Sequence, residues 1–159
     1  SVTPALRLGI AVAPKGKVAV LRRTAEYSFF GLATPMIDLA AKLLVHPDLR
    51  PMMERAREEI GTYVRCAVNV LGGYDLEWRT DVPFLWLRLP DGWRAGAFVQ
   101  AAEAQGVRIR AAEEYACRDA RAPHAVRFAV NAGVSLESFA AAILRLRNLL
   151  DNPPDSIGV

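Results

Sequence analysis

The strongest constraint on the fold is a change of hydrophobic period at Gly72-Gly73. Before these glycines, apolar residues recur every three or four positions, as they do on one face of a long helix. The positions are Leu49, Met52, Ala56, Ile60, Tyr63, Ala67 and Val70. Asp48 is a candidate helix cap, the two glycines predict the end of the helix, and Gly61-Thr62 predicts a bend in its middle.

The segment after the glycines alternates between strand-like and helix-like periods in the order β-β-α-β-β-α. Strands are expected near residues 76–79, 83–89, 107–110 and 126–130, and helices at 91–105 and 135–150, with Asp91 and Ser135 as their caps. The order predicts an α+β fold (an α/β sandwich). We expect a small mixed or antiparallel sheet with helices packed on one face, preceded by the long helix.

The first 45 residues have a different pattern. An alternating run predicts a strand over residues 6–13, and helical spacing follows from about residue 16 to residue 30. Thr34 is expected to cap the next helix, with Pro35 at its first position. Because the chain opens on a strand pattern without an initiator Met, we expect that its start has been cut.

Composition and charge narrow the class of protein. Hydrophobic residues make up 52% of the chain and charged residues 23%, as in ordinary globular proteins. No apolar stretch or signal sequence predicts a membrane span or export, so we expect a cytoplasmic protein with no membrane partner. A net charge of +3 does not argue for nucleic acid. Cys66 and Cys117 lack metal-ligand spacing; they predict free thiols and no metal site.

Two arginines lie in apolar strand patterns and are candidate anion ligands. Arg127 stands between Ala125 and Ala129 on its own face of the strand AVRFAV, and Arg7 lies beside Gly9 on its face. Small neighbours leave room for a guanidinium to bind a carboxylate or phosphate with two hydrogen bonds. The pattern alone favours the simpler alternative, in which each arginine is solvated at a sheet edge.

The other aromatic and histidine residues have simpler interpretations. Trp78, Trp86 and Trp93 are interpreted as core or sheet-packing aromatics. His124 precedes the Arg127 strand and is interpreted as a loop residue, because no second ligand follows at metal spacing.

Several short motifs resemble one enzyme family in the same order. Pro4-Ala5-Leu6-Arg7-Leu8-Gly9-Ile10 resembles the Pro-Gly-Leu-Arg-Leu-Gly-Tyr stretch that follows the Schiff-base lysine of fold-type I (class I/II) aminotransferases, which use pyridoxal phosphate (PLP). The stretches PFLWLRLP, GVRIRAAEEYA and AVRFAV resemble three later motifs of the family's C-terminal small domain. The resemblance covers nearly the whole chain, with Val82-Pro83 in place of the usual Gly-Gly.

This resemblance implies roles and boundaries. Residues 1–45 would be a remnant of the PLP-binding large domain, 46–72 the inter-domain helix and 73–159 the small domain. Arg7 would contact the PLP phosphate, and Arg127 would hold the α-carboxylate of an amino acid or 2-oxo acid. The Schiff-base lysine is expected upstream of Ser1, so we expect no catalytic residue, no transaminase activity and no PLP binding in the chain alone.

Three functions stay open from the sequence. The parent is a PLP-dependent aminotransferase, or it is a regulator, because AEEYA followed by RAPHAVR is similar to the aminotransferase-like domains of GntR/MocR-type transcriptional regulators. Such a parent would be a homodimer, and a regulator would contact DNA only through a missing N-terminal domain. The third alternative is a self-contained ligand-binding or dimerisation module.

Overall fold

The computed structural model describes residues 9, 11–28, 31–130 and 133–154. The chain divides into two compact units, Ser1–Arg55 and Ala56–Val159. The assignment of residues 1–45 to a large domain, 46–72 to an inter-domain helix and 73–159 to a small domain stays a prediction.

The first unit is helical over most of its described length. After a short 3-10 turn at Lys15–Lys17, α1 spans Val18–Ser28 and α2 spans Thr34–Leu44, and neither helix buries a side chain. The strand predicted over residues 6–13 lies mostly outside the described residues, and residues 11–13 form no strand.

The predicted cap of α2 is wrong by one residue. Ala33 is the N-cap and has no side-chain capping bond, while Thr34 takes the first helical position. The carbonyl of Ala33 accepts hydrogen bonds from the amides of Met36 and Ile37, at 2.9 and 3.3 Å. The helical ladder therefore starts at Ala33, so the Thr34 hydroxyl lies inside the helix rather than ahead of it.

The long helix α3 spans Leu49–Leu71 and ends directly before Gly72-Gly73, as predicted. Its helical structure is continuous through Gly61 and Thr62. A Cβ atom at Gly61 would lie 3.1 Å from a guanidinium nitrogen of Arg65 and 3.4 Å from the carbonyl oxygen of Thr80, so the loop that contains Thr80 passes close to the helix here. Its second half buries Tyr63 and Ala67, which lie on the predicted face, and also Val64 and Leu71, which were not assigned to that face.

The second unit contains a four-stranded antiparallel sheet in the order β1-β2-β4-β3. The strands are β1 (Leu76–Glu77), β2 (Phe84–Arg88), β3 (Arg110–Ala111) and β4 (Ala125–Ala129). Helix α4 (Ala95–Ala104) lies between β2 and β3, a 3-10 turn (Ala112–Tyr115) follows β3, and α5 (Leu136–Asp151) follows β4. The predicted α+β class with a small antiparallel sheet is confirmed.

The core of this unit lies between the sheet and three helices. One face of β2 and β4 supplies Leu85, Leu87, Val126 and Phe128, each buried. The facing helices supply large, fully buried side chains of the same cluster: Val64, Leu71, Phe98, Ile143 and Leu146. Helices therefore cover this one face, and each fully buried aliphatic side chain stabilises the unit by about 1.5–3 kcal/mol.

The two edge strands and one helix cap differ from the prediction. The strands β1 and β3 are shorter than expected, with two residues each. Helix α4 starts at Ala95, with Arg94 as its N-cap, so the expected cap at Asp91 is wrong. The helix starts later than predicted because the turn before it is anchored to α5. The indole N–H of Trp93 in this turn donates a hydrogen bond to the carbonyl of Leu149, at 3.0 Å. The cap at Ser135 is confirmed, with its hydroxyl oxygen 3.2 Å from the amide of Ser138.

Candidate functional site

The second face of the sheet is not covered by the helices that cover the first. On β2, Phe84 and Arg88 are exposed and Trp86 between them is partly buried. On β4, Arg127 lies opposite Trp86, and Arg110 of β3 lies opposite Arg127 on the other side. Cross-strand partners share a face, so this open face gathers aromatic rings and guanidinium groups.

Arg127 is held by two aromatic rings on this face. Its guanidinium carbon lies 4.0 Å from the ring centre of Phe84 and 4.2 Å from that of Tyr115. The Tyr115 ring also meets the edge of Trp86, at 5.6 Å between centres. Contact of this kind favours the cation and fixes its orientation without using its hydrogen-bond donors.

The donors of Arg127 have no protein acceptor in the part of the chain that the structure describes. Its guanidinium enters no salt bridge or side-chain hydrogen bond there, whereas the other arginines around it are paired. Arg88 lies 2.7 Å from Glu77, and Arg110 lies 3.0 Å from Glu114. A partly buried guanidinium with unused donors is arranged to bind an anion.

A surface cavity of about 340 Å³ opens beside Arg127. We call it the Arg127 pocket, and its lining residues are Glu77, Trp78, Arg79, Val82, Phe84, Trp86 and Arg127. All of them come from β1, β2, β4 and the loop that joins β1 to β2. The pocket therefore depends on the pairing of the strands rather than on one local motif.

The other charged groups that line the pocket are neutralised locally. The Arg79 side chain donates two hydrogen bonds to the Asp81 carboxylate, each at 3.0 Å. This pair lowers the pKa of Asp81 below its ordinary value. The hydrogen bond to Glu77 raises the pKa of Arg88, so that Glu77 also has a cationic partner. Arg127 is left as the cation of the pocket without a counter-ion among the described residues.

Of the two arginines that the sequence selected, the structure describes Arg127 alone. Arg7 lies outside the described residues, and its role as a PLP-phosphate ligand stays a prediction. Arg127 lies on β4 with Ala125 and Ala129 on the same face, where the alternation of the strand puts them. Its role as a carboxylate ligand also stays a prediction, but its surroundings differ from those of a solvated edge residue.

One residue that lines the pocket was misjudged from the sequence, and one ring that contacts Arg127 was missed. Trp78 is 44% exposed and lines the pocket, so its interpretation as a packing residue is wrong, while Trp93 is 6% exposed and belongs to the core as expected. Tyr115 had no assigned role. Its one sequence signal was its place in the stretch GVRIRAAEEYA, which resembles a motif of the aminotransferase small domain; in the structure it ends the 3-10 turn after β3.

Within the described ranges, no three His, Cys, Asp or Glu side chains are grouped so that they could hold a metal ion. None of the helices that the structure describes is both long and apolar enough to cross a bilayer. Cys66 and Cys117 are unpaired, as the sequence predicted.

No protein-family model matches the chain. Among curated proteins, it is similar to an uncharacterized HTH-type transcriptional regulator, YdeF of Bacillus subtilis (strain 168). The two are 27% identical over 153 residues, which is 96% of this chain and 33% of the regulator. The chain thus spans about one third of the length of this relative.

Among solved structures, the chain is similar to an aspartate aminotransferase from Rhodobacter sphaeroides. The TM-score is 0.50 at 25% identity, over 64% of this chain and 26% of the enzyme. The chain has an aminotransferase-like fold. Its small antiparallel sheet with helices on one face matches the small domain of such proteins.

Proposed function

We propose that this chain is the effector-recognising part of an aminotransferase-like, PLP-dependent transcriptional regulator of the GntR/MocR type. In this proposal Arg127 binds the carboxylate of an amino acid or 2-oxo acid. The similarity to a transcriptional regulator over 96% of the chain favours a regulator over an enzyme. The carboxylate is inferred from one observation: the guanidinium of Arg127 contacts the rings of Phe84 and Tyr115, and its donors are unused by the described protein groups.

The proposal assigns PLP to the full-length protein. When bound, the cofactor supplies an aldehyde that reacts with amines. The chain's own contributions would be Arg7, a phosphate ligand outside the described residues, and Arg127, which orients the effector by its carboxylate. The Schiff-base lysine and the DNA-binding segment belong, in this proposal, to other parts of a homodimeric parent.

A PLP-dependent aminotransferase is the second candidate. The structural similarity to an aspartate aminotransferase favours it, because that protein shares the fold at a TM-score of 0.50. Both candidates use the same carboxylate contact, so Arg127 does not separate them. The full-length protein does: a regulator changes its DNA affinity when an amino acid is added, whereas an aminotransferase converts amino acid and 2-oxo acid with turnover.

The carboxylate contact is tested with the 159-residue chain and pyruvate as the probe. We expect amide NMR signals of β2 and β4 to shift on titration, and Arg127→Ala to weaken binding by about tenfold to a hundredfold, as expected for loss of a charge-assisted bidentate contact. Arg127→Lys should bind pyruvate more tightly than Arg127→Ala but more weakly than the unmodified chain, because an ammonium cannot copy the planar donor geometry of a guanidinium.

Arg50→Ala is the matched control for the charge. Arg50 is exposed, and among the described residues its one salt-bridge partner is Glu54, at 3.3 Å, so its loss should leave pyruvate binding unchanged. Unchanged binding in a folded Arg127→Ala chain, or an equal loss in Arg50→Ala, would show that the carboxylate site has been assigned to the wrong residue.

A further inference from the structure

We infer that the Arg127 pocket selects a monocarboxylate that carries an aromatic or other apolar group, in preference to a dicarboxylate or a polyhydroxylated acid. The inference rests on the proposed function, which gives the carboxylate to Arg127. It adds the chemical class of the rest of the ligand, read from the other walls of the pocket.

The charges of the pocket favour a ligand with one negative charge. Of its charged lining residues, Glu77 is paired with Arg88 at 2.7 Å and Arg79 is paired with Asp81 through two hydrogen bonds. A second carboxylate on the ligand would have to displace Asp81 from Arg79 or face Glu77. Both cost free energy, since a like charge repels and a displaced partner loses its hydrogen bonds.

The neighbouring Arg110 could in principle serve a second carboxylate. It lies opposite Arg127 in the strand register, but its guanidinium is 3.0 Å from Glu114. Arg110 is also absent from the lining of the pocket. A dicarboxylate would therefore have to break the Arg110–Glu114 pair and reach past Tyr115, whose ring lies over Arg127.

The uncharged walls of the pocket are apolar and exposed. Trp78 is 44% exposed and Phe84 39% exposed, and Trp86 and Val82 complete the lining. None of the seven lining residues carries a hydroxyl or carboxamide group. Among the lining residues, the indole N–H groups of the two tryptophans are therefore the only neutral side-chain hydrogen-bond donors. A ligand gains mainly by covering these rings, which removes apolar surface from water.

The size of the cavity agrees with a ligand of this class. At about 340 Å³ it lies at the lower end of the range of small-molecule sites. Such a volume suits one carboxylate and one ring or branched chain. The guanidinium at one end and the rings along the walls then define an amphipathic ligand.

The test compares four probes on the 159-residue chain by amide NMR titration: 3-phenylpropionate, acetate, glutarate and 3-phenylpropanamide. We expect 3-phenylpropionate to bind about fivefold to tenfold more tightly than acetate, the gain from partly burying one phenyl ring. Glutarate should bind no more tightly than acetate. The neutral amide should bind more weakly than 3-phenylpropionate, because it cannot use the charge of Arg127.

Trp78→Ala isolates the apolar wall. We expect it to weaken binding of 3-phenylpropionate by about threefold to tenfold while leaving the binding of acetate unchanged. In this inference the phenyl ring of the ligand covers the Trp78 indole, and acetate has no such ring. Leu144→Ala is the matched control, since Leu144 is 49% exposed on α5 and does not line the pocket. An unchanged Tm in both variants verifies that the fold persists.

The outcomes separate this inference from the proposed function. If acetate and 3-phenylpropionate bind equally and Arg127→Ala weakens both, the apolar selectivity is wrong and the carboxylate site stands. Tighter binding of glutarate overturns the selectivity and points to Arg110. If the amide binds as well as 3-phenylpropionate, or no carboxylate binds, the proposed function itself fails, and the inference falls with it.

Discussion

The surroundings of Arg127 explain why an arginine is useful at this residue. A guanidinium can lie flat between two rings and still direct N–H groups outward in its plane, which an ammonium cannot do. The ring centres of Phe84 and Tyr115 lie 4.0 and 4.2 Å from its guanidinium carbon. Ala125 and Ala129 on the same strand face add no bulk that would close the approach. The cation is therefore oriented before any ligand arrives.

The alternation of β4 was sufficient to predict the face of Arg127 but not its environment. Strand period two puts Ala125, Arg127 and Ala129 on one face, and this is a local property of the sequence. The ring of Tyr115 reaches Arg127 from a 3-10 turn after β3, and Trp78 comes from the loop after β1. Such contacts depend on which strands pair, so no local pattern could reveal them.

At the residue scale, Asp81 provides a test of local neutralisation. Its pKa should lie below its ordinary value, and Arg79→Gln should raise it, because the Arg79 hydrogen bonds favour the ionised carboxylate. Since the folded-state pKa is depressed, the pair stabilises the fold above the unfolded pKa of Asp81. This contribution is lost as the pH falls through the folded value.

The measurement is a carboxyl-detected NMR titration of the wild-type and Arg79→Gln chains. Arg50→Gln serves as the control, because Arg50 pairs with Glu54 rather than with Asp81. If the pKa of Asp81 is the same in the Arg79→Gln and wild-type chains, then Arg79 is not its counter-ion, and the charge argument for the pocket loses its support.

At the scale of elements, the hydrophobic period of the sequence predicts where the helices and the central strands lie. The lengths of the edge strands depend instead on their pairing with neighbouring strands. The strands β2 and β4 occupy five residues each; β2 lies within its predicted range, and β4 starts and ends one residue before its range. The edge strands β1 and β3 keep only two, because a strand's length depends on how far its single neighbour continues to pair with it. The order β1-β2-β4-β3 was not predicted, since it rests on pairing between distant segments.

Helix caps give the element-scale prediction. Ser135→Ala should lower the free energy of unfolding by about 1 kcal/mol, because the Ser135 hydroxyl accepts a hydrogen bond from the Ser138 amide. Asp91→Ala should change it by less than about 0.5 kcal/mol, because Asp91 is an exposed residue that caps no helix. The free energies of unfolding of the two variants, measured by urea denaturation, test both expectations. A larger loss for Asp91→Ala would restore Asp91 as the start of α4.

At the scale of the whole chain, apolar burial is unevenly distributed. Every buried hydrophobic side chain in the described part of the chain lies between Tyr63 and Leu150. Helices α1 and α2 bury none, although Val20, Leu39 and Leu44 are large apolar residues on them. Hydrophobic burial is the main stabilising contribution to folding, so the stability of the chain should reside in its second unit.

We therefore expect a chain trimmed to residues 46–159, which keeps α3 whole, to unfold cooperatively. Its Tm should lie within about 5 °C of the full chain's, the shift that roughly 1 kcal/mol produces in a domain of this size. A chain trimmed to residues 1–134 is the control. It lacks the buried face of α5 (Phe139, Ile143, Leu146 and Leu150) and should show no cooperative transition. Calorimetry of the full chain and the two trimmed chains measures the Tm and shows whether each chain unfolds cooperatively. If the 46–159 chain also lost its transition, residues 1–45 would be part of the stabilising core, and the burial argument would be wrong.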